Sequence, residues 1–111
     1  MTTADPTVSV ARAKELRERG ATVLDVREVD EWRLGRIDGS ILIPFGELAD
    51  RVGEIPEGPV VCVCRSGSRS LLATRFLLRA GRDAVNLDGG LLAWFFDGEP
   101  LVADHDHPSV G

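Results

Sequence analysis

Apolar and polar positions along the chain switch between a helical and a strand period, and the switches mark out short units. Ser9 stands ahead of a segment running to Arg19, with Ala13 and Leu16 on its inner face. Ser9 suits an N-cap, and Gly20 lies where a left-handed C-terminal cap belongs. Thr22 to Val26 is a β-branched run that predicts a buried strand. Val29 to Leu34 predicts a short helix, Ile41 to Ile43 a strand stopped by Pro44, and Glu47 to Val52 another short helix. Ile55 to Pro59 reads as a turn. Pro59 to Cys64 shows no polar alternation, the pattern of a central parallel strand covered on both faces. After the loop Arg65 to Ser68, a helix is predicted from about Arg69 to Ala80. Its Leu71, Leu72, Ala73, Phe76, Leu77 and Leu78 cover most of the circumference, while Arg75 and Arg79 mark a narrow wet stripe. Ala84 to Leu87 predicts a further strand, Asp88-Gly89-Gly90 a turn and Leu91 to Phe96 a last short helix. This alternation predicts an α/β domain with a mainly parallel sheet and helices on both faces. The domain is expected over residues 8–97, between an N-terminal tail (1–7) and a polar C-terminal tail (98–111).

Composition narrows the function. A length of 111 residues suits one domain, able to bury about two-thirds of its surface without disulfide or metal staples. Apolar residues at 43% and charged residues at 28% describe a globular chain rather than a disordered one. A net charge of −5 argues against nucleic acid or an anionic membrane surface as the main partner. The longest apolar run, Leu91 to Phe96, is far short of the roughly 20 residues that span a bilayer. The first residues lack a basic segment followed by an apolar stretch, and two cysteines build no disulfide framework. Both features lead to the expectation of a reducing, cytoplasmic compartment. Lys14 is the only lysine against twelve arginines, a skew that codon bias explains for most positions.

Cys64 closes the central strand, at the carboxyl edge where parallel sheets bind ligands. The small residues Ser66, Gly67 and Ser68 let successive N–H groups turn toward one point and form an anion nest. The following helix adds the positive end of its dipole, and Arg65 and Arg69 add two cations. Such surroundings lower a cysteine from about 8.5 to about 7 or below, which makes it a nucleophile at neutral pH. The same cradle would hold the anionic end of a substrate.

The stretch Cys-Arg-Ser-Gly-Ser-Arg-Ser from Cys64 closely resembles the active-site loop of the single-domain rhodaneses, a family of sulfurtransferases. Three further motifs, in order, extend the resemblance over roughly residues 8–97. Asp25-Val26-Arg27 resembles the family's strand-end Asp-x-Arg. Glu31-Trp32 with Gly35 through Pro44 resembles its first signature, and Leu87-Asp88-Gly89-Gly90 with Ala93-Trp94 its closing one. The first signature usually reads Gly-His-Ile-Pro-Gly-Ala. Here Arg36 stands for the histidine, Asp38 for the proline and Ser40 for the alanine, which bears on loop shape and substrate preference. The resemblance implies a rhodanese-like fold with about five strands and sulfane-sulfur transfer through a Cys64 persulfide. The donor would be a small anion such as thiosulfate, the acceptor cyanide or a thiol. Arg65, Ser66, Gly67, Ser68 and Arg69 would bind the substrate, and Asp25 and Arg27 would support the loop. Neither metal nor cofactor is called for.

Alternatives stay open. Dual-specificity phosphatases and arsenate reductases have a related cradle with five residues between Cys and Arg, whereas four separate Cys64 from Arg69 here. The shorter loop suits a sulfur atom better than a tetrahedral phosphate. A non-turnover binding or regulatory module typically lacks the cysteine. A persulfide carrier with a protein donor or acceptor would use the same chemistry at Cys64. Cys62, two positions earlier on one face of the strand, reads as core packing, as do Trp32 and Trp94. His105-Asp106-His107 reads as a solvated scrap of tail rather than a metal site.

Overall fold

A computed structural model describes residues 6–111. Five strands, β1 (Thr7–Val8), β2 (Thr22–Asp25), β3 (Ile41–Leu42), β4 (Val60–Val63) and β5 (Ala84–Leu87), form one sheet in the order β1-β5-β4-β2-β3. Every pairing is parallel. The helices are α1 (Val10–Glu18), α2 (Val29–Leu34), α3 (Leu48–Arg51), α4 (Ser68–Arg79) and α5 (Gly90–Phe96), with single 3-10 turns on either side of α3.

The unbroken apolar run puts β4 at the centre, where all four of its residues are buried. Alternation along the strands then divides the core in two. Leu24, Val60, Cys62 and Cys64 pack with Leu48, Ala73 and Leu77 on one face. Val23, Val61 and Val63 pack with Ala13, Leu91 and Trp94 on the other. Ser9 caps α1 as expected, its hydroxyl accepting from the Arg12 N–H at 3.1 Å. Glu28 and Glu31 form a capping box at the start of α2.

Three features differ from the sequence reading. The expected all-round apolar surface of α4 resolves into one buried stripe of Ser70, Ala73, Thr74 and Leu77, with Leu72 and Leu78 exposed. Polar Ser70 and Thr74 take inward positions because they have partners there. Thr7, expected as the end of the N-terminal tail, forms β1 with Val8, and the two pair with Asn86 and Leu87; residues 1–5 lie outside the described residues. Residues 98–111, expected as a polar tail, fold back as a strap. Val102 bridges to Arg36, the Trp94 Nε1–H donates to Pro100 O at 3.0 Å, and the Ser109 N–H donates to Leu34 O at 2.8 Å. Val110 is buried in the second core. Three apolar side chains scattered among polar ones suffice to dock it: Leu101 packs against that core, and Val102 and Val110 fall at the two contact points.

The strap passes so close to α2 that a Cβ on Gly35 would overlap the Ser109 backbone. Gly35→Ala is expected to lift the strap and cost about 1–3 kcal/mol, as overpacking does. Hydrogen exchange of the Ser109 and Val110 amides measures it; unchanged protection in the variant would mean the strap docks elsewhere.

Candidate active site

Cys64 sits one residue past β4, and its sulfur is surrounded by donors. The Gly67 N–H lies 3.1 Å from Sγ, the Ser70 N–H 3.3 Å and the Ser70 hydroxyl 3.2 Å. The loop takes this shape because its carbonyls are pulled outward. The Leu91 N–H donates to Cys64 O at 2.9 Å and the Leu92 N–H to Arg65 O at 3.0 Å, so the first turn of α5 clasps the back of the loop. The clasp requires glycine at position 90: with φ of +62°, a Cβ there would stand 2.5 Å from Cys64 O. The turn Asp88-Gly89-Gly90 is thus part of the site, although it never touches the sulfur.

Burial is the largest influence on the Cys64 thiol and opposes ionisation. Hydrogen bonds from the Ser70 hydroxyl and from the N–H groups of Ser70, Gly67 and Ser66 together outweigh it and hold the thiol below its ordinary value. Cys62 has no such nest. Burial, only partly offset by a hydrogen bond with Thr74, pushes it up to about 11. The two cysteines, both free thiols, are therefore opposites in character. Cys64 is only 1% exposed, so its sulfur lies at the floor of the cradle.

The arginines are placed differently from one another. Arg69 holds Glu31 in a two-pronged ion pair, Nη1 to Oε1 at 2.9 Å and Nη2 to Oε2 at 3.0 Å. That bond with Arg69 holds the Glu31 carboxyl below its ordinary range, against a smaller opposing effect of burial. The charge of Arg69 is thus largely spoken for, and hydrogen bonds, more than the arginines, favour the thiolate. Arg65 is exposed, and its Nε–H donates to Gly111 O at 3.2 Å. Ser66 and Ser68 are exposed at the rim, while Gly67 is buried.

Asp25 and Arg27 are both wholly buried. The Arg27 Nε–H meets Asp25 Oδ1 at 2.9 Å and Nη2 meets Oδ2 at 2.8 Å. Nη2 also donates to Gly35 O, and Nη1 to Glu31 O and Val110 O. One guanidinium therefore ties the end of β2 to α2 and the strap. Arg36 lies over the Trp32 ring at 3.9 Å and pairs with Asp104, and the Ser40 hydroxyl accepts from Trp32 Nε1 at 3.2 Å. Two of the three departures from the family signature thus converge on one tryptophan. Exposed Asp38 instead gives its carbonyl to Arg17. His105 and His107 are exposed, and among the described residues no group of three or more acidic, histidine or cysteine side chains is placed to hold a metal.

Sequence reasoning named Cys64 and its loop but passed over Glu31 as a partner, Ser70 as a donor, Asn86, and the strap carbonyls. Ser70 and Glu31 each carried a signal, Ser70 as the last residue of the recognised stretch and Glu31 as the head of the Glu31-Trp32 pair; Asn86 and the strap carbonyls meet the site through long-range contacts.

The pH course of Cys64 is directly measurable. Its thiolate absorbance should rise with a midpoint below that of an ordinary thiol, and Cys62 should titrate near 11. Because the folded value is depressed, ionisation adds stability as pH climbs from the folded toward the unfolded midpoint, and this is lost as pH falls through the folded one. A Cys64 midpoint equal to that of a model thiol would contradict the hydrogen-bond geometry.

The sequence profile of the rhodanese-like domain family matches residues 9–96. The chain belongs to this family. It is 34% identical to thiosulfate sulfurtransferase 18 of Arabidopsis thaliana, over 93% of this chain and 88% of that protein. It is 39% identical to an HTH-type transcriptional regulator of Mycobacterium tuberculosis over 86% of the chain, but spans only 45% of the regulator's length. The crystal structure of a rhodanese-related protein from Thermoplasma volcanium superposes with a TM-score of 0.83 at 33% identity, covering 88% of this chain and 98% of that one. Among the described residues, no helix is long and apolar enough to cross a membrane.

Proposed function

We propose that the chain is a sulfurtransferase that carries sulfane sulfur on Cys64. The observation that carries this reading is the ring of donors on a sulfur at the floor of a loop: two N–H groups and a hydroxyl within 3.3 Å. In the first half-reaction the Cys64 thiolate attacks the outer sulfur of thiosulfate. A Cys–S bond forms, the S–S bond within thiosulfate breaks, and its electron pair leaves with sulfite. In the second, cyanide or a thiolate attacks the outer persulfide sulfur, and the Cys64 thiolate departs. The covalent intermediate divides one transfer into two easier steps. The loop N–H groups suit the anionic outer sulfur, as oxyanion-hole donors suit developing charge elsewhere. Arg65, anchored through Nε, leaves its two terminal amino groups to meet an anionic donor such as thiosulfate.

Phosphoryl chemistry fits less well. Four residues separate Cys64 from Arg69, and Arg69 is locked on Glu31 rather than free to fork a phosphate. The likeness to part of a transcriptional regulator favours a second reading, in which the domain is a binding or regulatory module without turnover. Intact-mass spectrometry after thiosulfate exposure tests the proposal. The protein should gain the mass of one sulfur, which cyanide or a thiol removes with turnover. Uptake without release to small acceptors points to a persulfide carrier, and no uptake from any sulfane donor defeats the transferase and selects the module.

A further inference from the structure

A closed ring of hydrogen bonds lies beneath the nucleophile. The Gly67 N–H donates to Cys64 Sγ at 3.1 Å, and Asn86 Nδ2 donates to Gly67 O at 3.3 Å. The Ser70 hydroxyl lies 2.6 Å from Asn86 Oδ1 and 3.2 Å from Cys64 Sγ. Ser70 and Asn86 are buried, at 0% and 3% exposure, so water cannot stand in for a missing partner. Asn86 is held in place by its strand: it pairs with Thr7 on one side and Cys62 on the other. Its amide orientation is fixed too, because the reverse would set two carbonyl oxygens against each other at Gly67.

A hydroxyl has one proton. Here two buried acceptors, a sulfur and an amide oxygen, are both within its reach. While Cys64 is a thiol, every group is satisfied: S–H donates to Ser70 Oγ, and the Ser70 hydroxyl donates to Asn86 Oδ1. When the sulfur becomes a thiolate, it needs the Ser70 proton, and Asn86 Oδ1 loses its donor. We propose that Asn86 is a positioning residue that competes with Cys64 for the single hydroxyl proton of Ser70, and so biases the inner sulfur toward its uncharged forms. The persulfide is such a form, because its charge moves to the outer sulfur. Asn86 would then favour loading of Cys64, a consequence that rests on the sulfur-transfer reading; the sharing of the proton does not.

The charged and titratable groups around the ring are Arg65 in the loop, Arg69 locked on Glu31 of α2, the Asp25–Arg27 pair at the end of β2, and Cys62 on β4. None of them is altered by substitution at Ser70 or Asn86. The test is a thiolate titration by ultraviolet absorbance on Ser70→Ala and Asn86→Leu, with no sulfur donor present. Ser70→Ala removes the donor and should move the Cys64 midpoint up, changing the thiolate-to-thiol ratio about tenfold, or one pH unit. Asn86→Leu removes the competitor and should move it down. Displacement of both in the same direction, or no displacement in Ser70→Ala, overturns the proposal. The wild-type protein supplies a measurement that no folding defect can cloud. The nuclear magnetic resonance signals of the Asn86 side-chain amide should shift with the Cys64 midpoint; constancy across that midpoint overturns it equally. Intact-mass uptake, run separately, keeps the two readings apart. A protein that titrates as described but never gains sulfur retains the shared proton and loses only the transfer reaction.

Discussion

Cys64→Ala will leave a folded protein that transfers no sulfur. Alanine keeps the backbone that α5 clasps, and the cost in stability is about 1 kcal/mol, that of an ordinary point change. On the proposed sulfurtransferase reading the loss of activity is total, because the same atom would attack the donor and hold the cargo. Cys62→Ala is the matched control. It truncates an equally buried side chain on the same face but leaves the donors around Sγ in place. Thiosulfate:cyanide turnover on both variants, with circular dichroism for folding, decides the matter. Equal turnover in the two would remove Cys64 from the reaction.

The second large effect belongs to stability. Arg27→Leu will destabilise the domain by about 3–5 kcal/mol, the usual penalty for stripping one partner from a buried ion pair. All of the Arg27 side chain's polar hydrogens are committed: to the Asp25 carboxylate and to the carbonyls of Glu31, Gly35 and Val110. Leucine would leave a buried Asp25 without its guanidinium and three carbonyls without a donor. A domain of this size holds about 5–15 kcal/mol in all. The melting temperature should therefore fall by about 12–20 °C, at about 4 °C per kcal/mol. Arg27→Lys will not restore it, since an ammonium cannot reproduce the planar fork. Removing both charges together, in Asp25→Leu with Arg27→Leu, should cost less than the two single changes added. A loss below about 1 kcal/mol in Arg27→Leu, an order typical of exposed pairs, would show that the pair is not an anchor.

What could be read in advance follows from how local each feature is. The run from Val60 to Cys64 and the small-residue loop after it announce themselves because strand, turn and helix start are encoded within a dozen neighbouring residues. Thr7–Val8 carries no period to detect; it is a strand only because Asn86 and Leu87 offer it an edge. The ion pair of Arg69 with Glu31 joins residues on different helices, and either arginine of the loop could have been the one held. Asn86 looks like any polar residue in a short strand until the fold sets it beside Ser70. The strap is hidden by its composition: its polar residues between 103 and 109 mask the few apolar contacts that dock it. Leu72 and Leu78 show the converse, apolar residues whose spacing suggested core but which the neighbouring elements leave uncovered.

The clasp of α5 on the nucleophile loop also has a consequence in time. A chain is synthesised from its N-terminus at about 5–20 residues per second. Cys64 is made well before Leu91 and Leu92, whose N–H groups turn its loop outward, and before Asn86, which steadies Gly67. Residues 80–92 take about 1–3 seconds more, and until then the segment of β4 and α4 lacks the groups that shape its loop. The sheet has no hairpin through which to zip up early, since every pairing crosses over a helix or a long connection. A nascent chain at that point carries Cys64 without the carbonyl contacts that shape its loop. The loop takes its final shape only after α5 has been added, and the strap whose carbonyls meet Arg27 and Arg65 follows later still.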